Sequence, residues 1–265
     1  MNNYVISLSS ADVRRKHIHQ EFSGQDITFK FFDAVEPPKN IEVAQFLSVR
    51  INNTELTAGE ISCLLSHLSL WKKAIDENLD YIAIFEDDIY LGDRANEFLT
   101  DRNWVKNCEN IIKLEAFAKK AEFSFKVHSR YKKDRKLYRL NGIHLGCAGY
   151  ILSNNACKSL LKAAQNYEKM IAVDHILFEE YINNGEYAVY QLNPALCIQS
   201  DILKSECMVF ESGLEKERRK RFNIKHVDIK KKLTFKGKMA REFFRVVSQF
   251  FQIVRFLKKR NVKFK

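Results

Sequence analysis

The sequence predicts an α/β protein built on one large, mainly parallel sheet. Short apolar runs alternate with stretches of helical periodicity through the first 200 residues, the pattern of strand–helix–strand units. One run, DYIAIFEDD (80–88), is apolar or small over five positions and then turns abruptly to three acids. That is the signature of a central strand covered on both faces and reaching the sheet edge at its carboxyl end. Nine Gly and three Pro in 265 residues, with 46% hydrophobic residues, suit a folded domain rather than a linker-rich or disordered chain.

The elements follow in order. Residues 4–8 (YVISL) form the first strand, and Ser10, Ala11 and Asp12 offer an N-cap to a helix whose first turns carry Arg14, Arg15 and Lys16. Residues 28–32 form a second strand that ends at Asp33, just before the turn at Pro37 and Pro38. Thr57 with Glu60 is a capping box, and Ile61, Leu64, Leu65, Leu68, Trp71 and Ile75 then recur at helical spacing. Residues 109–114 read as a strand, 117–137 as a polar surface loop, and 146–153 as a strand with little bulk at its start. Asn154 or Asn155 can cap the next helix. A further helix over 171–182 stops at Asn183, Asn184 and Gly185, and residues 187–192 form a late strand.

Charge divides the chain. Residues 214–265 hold 19 Lys and Arg against 4 Asp and Glu, a net of +15, whereas residues 1–213 hold 25 against 29, a net of −4. The expected organisation is a mildly acidic domain over 1–213 and a basic tail over 214–265. Within the tail, residues 239–257 place Phe243, Val247, Phe250, Val254 and Leu257 on one helical face and Arg241, Arg245, Gln252 and Arg255 on the other. Such a helix suits an anionic membrane surface. The alternative is a helix that packs on the domain or pairs with a second subunit to give a homodimer. The opening MNNYVISLSS has no basic region and no apolar run, so no secretory signal is expected. Six cysteines without CxxC spacing are expected to be free thiols in a reducing cytoplasm.

The sharpest chemical feature is Glu86, Asp87 and Asp88. On a strand Glu86 and Asp88 share a face and Asp87 points the other way. Two carboxylates at the carboxyl end of a buried strand lie where open α/β sheets bind ligands, and they suit Mg²⁺ or Mn²⁺; an acidic solvated turn is the plainer reading. The chain contains no GxGxxG, GxxxxGK[ST] or GxSxG. His67 sits in the amphipathic helix as a half-buried imidazole, and Asp174 falls in the first turn of a helix, where an acid is favoured by the dipole whatever its role.

GEISCLLSH (59–67), IFEDD (84–88), IIKLE (111–115) and GCAGYILSNNACKSLL (146–161), in this order, resemble glycosyltransferase family 25. VISL (5–8), Arg14 with Arg15, and Asp33 with Ala34 resemble that family's opening. Pro194 with Gln199, Ser200 and Asp201 resembles its close. The resemblance covers roughly residues 3–202. It implies a GT-A-type, Rossmann-like single catalytic domain and a UDP-sugar donor, most often UDP-galactose. It also implies inversion at the anomeric carbon and a lipooligosaccharide or lipopolysaccharide core as acceptor. Ser7, Arg14, Arg15, Asp33, His67 and Glu86 would bind the donor, and Glu86 with Asp88 would hold Mn²⁺ or Mg²⁺. Asp174 would be the catalytic base, with Asp87 and Glu115 as competitors. Gly146 and Gly149 would let a sugar approach the backbone. The enzyme is then expected on the cytoplasmic face of a bacterial inner membrane, its tail on anionic lipid and its acceptor a lipid-linked oligosaccharide. Two other classes compete: a nucleic-acid-binding protein using the basic tail, and a metal-dependent phosphohydrolase using the same acids. The tail follows no recognisable nucleic-acid module, so no nucleic-acid partner is expected.

Overall fold

The computed structural model describes residues 1–101, 103–105, 110–131, 134–203 and 259–265. The chain runs β1 (Asn2–Ser7), α1 (Asp12–Ser23), β2 (Lys30–Asp33), α2 (Asn40–Phe46), α3 (Ala58–Asp76), β3 (Tyr81–Glu86), β4 (Ile89–Leu91) and α4 (Asn96–Leu99). It continues with β5 (Ile111–Lys113), β6 (Lys120–Glu122), β7 (Ser129–Tyr131), β8 (Arg135–Arg139), β9 (Gly149–Ser153) and α5 (Asn154–Asn166). Then come α6 (Val173–His175), a π-helical turn (Ile176–Glu180), α7 (Tyr181–Asn184), β10 (Val189–Asn193), β11 (Cys197–Gln199), α8 (Ser200–Leu203) and β12 (Lys259–Asn261).

Eight strands form one sheet in the order β2-β1-β3-β9-β5-β10-β8-β7. β2, β1 and β3 are parallel neighbours, and β5 and β10 are parallel to each other. The expected mainly parallel α/β sheet is therefore present, with β9 antiparallel to both β3 and β5, and β8 antiparallel to β10. Alternation along the strands feeds two cores. Tyr4, Ile6, Ile82, Ile84, Tyr150 and Leu152 pack towards α3 and α5, while Val5, Ala83, Phe85 and Ile151 pack towards α1 and α4. Covering both faces explains why β3 reads as a continuous apolar run.

The chain leaves β1 for β2 on one side and returns to β3 on the other. The carboxyl ends of β1 and β3 are thus a topological switch point, where doubly wound sheets open a ligand crevice.

Local departures from the sequence pattern have physical causes. The Thr57–Glu60 capping box forms as expected. Helix α1 starts without a side-chain cap, and α5 is capped by Ser153, whose Oγ accepts from Ala156 N, rather than by Asn154 or Asn155. Asn154 instead donates to the carbonyls of Ala74 and Leu79, tying α5 to the end of α3. Residues 117–137 are not one surface loop: they contain β6, β7 and the start of β8. The pattern was hidden because β8 reads RKLYR. Lysine and arginine stems pack along apolar surface as readily as aliphatic side chains, and Arg135 is buried, donating to the carbonyls of Asp93, Pro194, Ala195 and Lys265. The helix expected over 171–182 runs from Val173 to Asn184 with the π-helical turn at its centre.

The amphipathic stretch 239–257 and cysteines 108 and 207 lie outside the described residues. The last residues of the basic segment are described and pack on the domain: β12 pairs antiparallel with β6, and Phe264 packs against Ala116, Ala195 and Ile198. Cys63, Cys147, Cys157 and Cys197 form no disulfide. Among the described residues no helix is long and apolar enough to cross a membrane.

Candidate functional site

The switch point is lined by the residues expected to meet a donor. Ser7 ends β1, and its Oγ donates to Asp87 Oδ2 at 2.7 Å. Arg14, from the first turn of α1, donates to Asp87 Oδ1 at 2.7 Å. Burial disfavours the Arg14 charge, but the facing Asp87, with Asp88 and Glu86 behind it, raises its pKa on balance. Arg15 donates to the carbonyls of Ser7 and Leu8, pairs with Asp33 at the end of β2, and stacks 4.7 Å over Phe31. Asp87 was expected as a catalytic alternative. Its two oxygens are engaged by Ser7 and Arg14, and the residue is 7% exposed, so it ties β1, α1 and β3 together rather than offering a base.

Strand β3 ends at Glu86, so Asp87 and Asp88 lie in the turn before β4, and strand alternation, expected to set Asp88 beside Glu86, does not reach them; a shared partner brings the two acids together instead. The amide of Gln199, at the end of β11, donates to Glu86 Oε2 at 3.0 Å and to Asp88 Oδ1 at 3.4 Å. Burial first, and the neighbouring Glu86 carboxylate second, push the Asp88 carboxyl up to about 7. Two carboxylates converging with only oxygen donors match the preference of a hard divalent cation.

The segment Gly146, Cys147 and Ala148 connects these acids to the rest of the site. Gly146 N donates to Asp174 Oδ2 at 3.4 Å, and its carbonyl accepts from Lys113 Nζ. Cys147 Sγ donates to Glu86 Oε1 at 3.4 Å. Ala148 N donates to Glu115 Oε2 at 3.0 Å, and Ala148 O accepts from Glu86 N. Lys113 and Glu115 form a fully buried ion pair at 3.0 Å, with the ammonium 4.1 Å over the Phe178 ring. Burial raises the Glu115 pKa against the pull of Lys113, and its Oε1 is buried without a hydrogen-bond partner.

Two expectations change here. The space over Gly146 and Gly149 is not open to a sugar. A Cβ on Gly146, whose φ is +85°, would lie 2.6 Å from Phe117 and 2.8 Å from Glu115 Oε2, and one on Gly149 would lie 2.2 Å from Cys197 Sγ. Both glycines serve close packing. His67 does not reach the donor surface either: it is fully buried, with Nδ1 2.7 Å from the Tyr150 hydroxyl and Nε2 3.8 Å from Glu86 Oε1, so it acts through Glu86.

Asp174 borders a cleft of about 630 Å³ lined also by Leu56, Phe117, Leu145, Met170 and His175. Glu115 is sealed beneath this surface, whereas Asp174 opens onto it. Sequence reasoning missed Gln199 and Lys113 as site residues. The signal for Lys113 was available: a lysine inside the apolar strand IIKLE must find a buried partner.

The profile of glycosyltransferase family 25 (LPS biosynthesis protein) matches residues 1–177. The lipooligosaccharide biosynthesis protein lex-1 of Haemophilus influenzae is 35% identical over 272 residues, covering 91% of this chain and 88% of its own. The lipooligosaccharide biosynthesis protein lic2B of the same species is 36% identical, covering 88% and 87%. The lacto-N-neotetraose biosynthesis glycosyltransferase LgtE of Neisseria gonorrhoeae is 37% identical over 260 residues, covering 91% of each chain. With an acidic strand end at the switch point and a profile match over two thirds of its length, the chain belongs to glycosyltransferase family 25.

Proposed function

We propose that this glycosyltransferase is a GT-A-type enzyme that moves galactose from UDP-galactose onto a lipooligosaccharide or lipopolysaccharide core, inverting the anomeric carbon. The observation that carries the reading is the convergence of Glu86, Asp88 and Gln199 beside Arg14 and Arg15 at the switch point. The names of the lex-1 and lic2B relatives support the acceptor class.

The oxygen-only pair fits Mn²⁺ or Mg²⁺, with Asp88 and Glu86 Oε2 as the holding atoms. Such a cation would supply Lewis-acid neutralisation of the diphosphate charge that develops as UDP leaves. The chain's own residues do the rest. Ser7, Arg15 and Asp33 form the wall against which the nucleoside end of the donor lies, and Arg14 contributes positive charge near the diphosphate. Asp174 takes the proton from the acceptor hydroxyl as that oxygen attacks the anomeric carbon opposite UDP. Phe117, 39% exposed in the cleft, offers a flat apolar face to an acceptor sugar ring. The basic segment would bring the enzyme to the anionic cytoplasmic face of the inner membrane, where a lipid-linked acceptor is found.

The test is UDP release from a panel of UDP-sugars, with and without Mn²⁺, EDTA and a lipooligosaccharide core acceptor. UDP-galactose with Mn²⁺ should give transfer, and Asp88→Asn should remove most of it while leaving the fold intact. Full activity in EDTA would sink the metal pair. Preference for another UDP-sugar would overturn galactose, and an α-linked product from UDP-galactose would overturn inversion.

A further inference from the structure

Beneath the hard, oxygen-only pair lies a cluster of different chemistry. Cys63 and His67 are four residues apart on α3, which places them on one face of the helix. That face meets the end of β3. A ligand atom of each of Cys63, His67 and Glu86 lies within 4.8 Å of the others. Cys147, arriving ahead of β9, stands outside that mutual set but beside two of its members: its Sγ is 3.9 Å from His67 Nε2 and 3.4 Å from Glu86 Oε1, and those two are 3.8 Å apart.

These spacings carry information. Four ligands around tetrahedral zinc, at roughly 2.0–2.3 Å from the ion, stand about 3.3–3.8 Å from one another. The three edges among Cys147, His67 and Glu86 lie within about half an ångström of that cage, and the Cys63 ligand atom lies within 4.8 Å of those of His67 and Glu86. The donor set of two thiols, an imidazole and one carboxylate oxygen is soft to borderline, and selects zinc over Mg²⁺ or Mn²⁺. The outer contacts are in place as well. His67 Nδ1 lies 2.7 Å from the Tyr150 hydroxyl, which also accepts from Trp71 Nε1 at 3.0 Å. That contact aims Nε2 into the cluster, as an outer-shell partner does for a ligating histidine. Cys63 is half-buried while His67 is sealed, so an ion has a path in past Cys63.

We propose that Cys63, His67, Cys147 and Glu86 Oε1 form a structural zinc site. With four protein ligands the site is closed, so the ion acts as a clip joining α3, the end of β3 and the segment before β9. Binding displaces the two thiol protons to solvent and forms two zinc–sulfur bonds. A second consequence rests on the proposed donor reading, and the clip itself does not: with Oε1 fixed on zinc, Oε2 is presented to Gln199 and Asp88. Glu86 is then the bridge between a permanent soft-metal site and the exchangeable hard-cation site.

The full-length chain, stripped with EDTA, is loaded with Zn²⁺, desalted and assayed for metal; a parallel sample takes Co²⁺ as a spectroscopic probe. About one zinc per chain should survive desalting. The Co²⁺ form should show tetrahedral d–d bands with thiolate-to-cobalt charge transfer. Cys63→Ser and His67→Gln should each lower zinc affinity by more than the roughly 10–100-fold typical of losing an outer-shell partner. Asp88→Asn should keep the zinc and the cobalt spectrum while losing Mn²⁺-dependent transfer, which separates failure of the clip from failure of the donor-site reading. No retained zinc in the wild-type chain overturns the proposal. So does a cobalt spectrum without a sulfur band, or unchanged affinity in Cys63→Ser. The wild-type cobalt spectrum decides the matter even where a variant does not fold.

Discussion

Replacing Lys113 by methionine tests the buried pair on which the site rests. Lys113 and Glu115 are both fully buried, and the ammonium also holds the Gly146 carbonyl. Methionine fills a similar volume, so the packing loss against Phe178 is small. The electrostatic loss is not. Glu115 must either stay charged without its partner, at roughly 3–5 kcal/mol, or take up a proton. Each pH unit above the ordinary glutamate value of 4.5 makes that proton cost about 1.4 kcal/mol more. Protonation therefore costs roughly 3 kcal/mol at pH 7 and about 1 kcal/mol at pH 5.5. The sign follows from the direction of the shift: the folded value lies above the unfolded one, so the penalty is absent below the unfolded value and grows as pH rises towards the folded one. Urea denaturation followed by tryptophan fluorescence, with Trp71 buried in the core as reporter, measures it. Lys113→Met should lose about 3 kcal/mol at pH 7, or roughly 6–12 °C in Tm, and recover most of it by pH 5.5. The double variant Lys113→Met with Glu115→Gln should be nearly flat over that range. A deficit of the same size at both pH values, or one below about 0.5 kcal/mol at pH 7, would refute the buried-charge argument.

Further outcomes follow from the same geometry. Asp174→Asn should lower kcat by roughly 10²–10⁴-fold with UDP affinity nearly unchanged; wild-type turnover in single-turnover assays would remove Asp174 as the base. Gly146→Ala should destabilise by about 2–4 kcal/mol in chemical denaturation, from a left-handed backbone and a Cβ driven into Phe117 and Glu115. A change under about 0.5 kcal/mol would mean the segment relaxes freely. Because the carboxyl at position 88 holds its proton up to about pH 7, Mn²⁺ must displace that proton at lower pH. Mn²⁺ affinity by calorimetry should fall about tenfold per unit below pH 7, and a pH-independent affinity would place the cation elsewhere. Deleting residues 214–258 while keeping β12 should abolish binding to anionic liposomes and spare turnover on a soluble acceptor; equal liposome binding by both proteins would remove the membrane reading.

The order of elements and the place of the acids were legible because they depend on local rules. The capping box at Thr57 and the apolar run of β3 ending in acids follow from residues close in sequence, whereas Asp88 lies in the turn past β3 and meets Glu86 through Gln199, over 100 residues away. The antiparallel insertion of β9 was not legible. Strand direction is set by which neighbours a strand pairs with across the sheet, and GCAGYILS pairs as well either way. The strands within 117–137 were hidden for a related reason: cationic stems supply apolar surface that the letters conceal, and Arg135 finds its four carbonyls up to 130 residues away. The largest decisions belonged to the tertiary structure. Asp87 could have been base, ligand or surface acid until Ser7, 80 residues distant, and Arg14 closed on both its oxygens. Cys147 read as one more free thiol until the fold set it against Glu86 and His67. A side chain's type sets the chemistry it can perform, but its partners arrive from strands and helices far along the chain, and those partners settle which chemistry it performs.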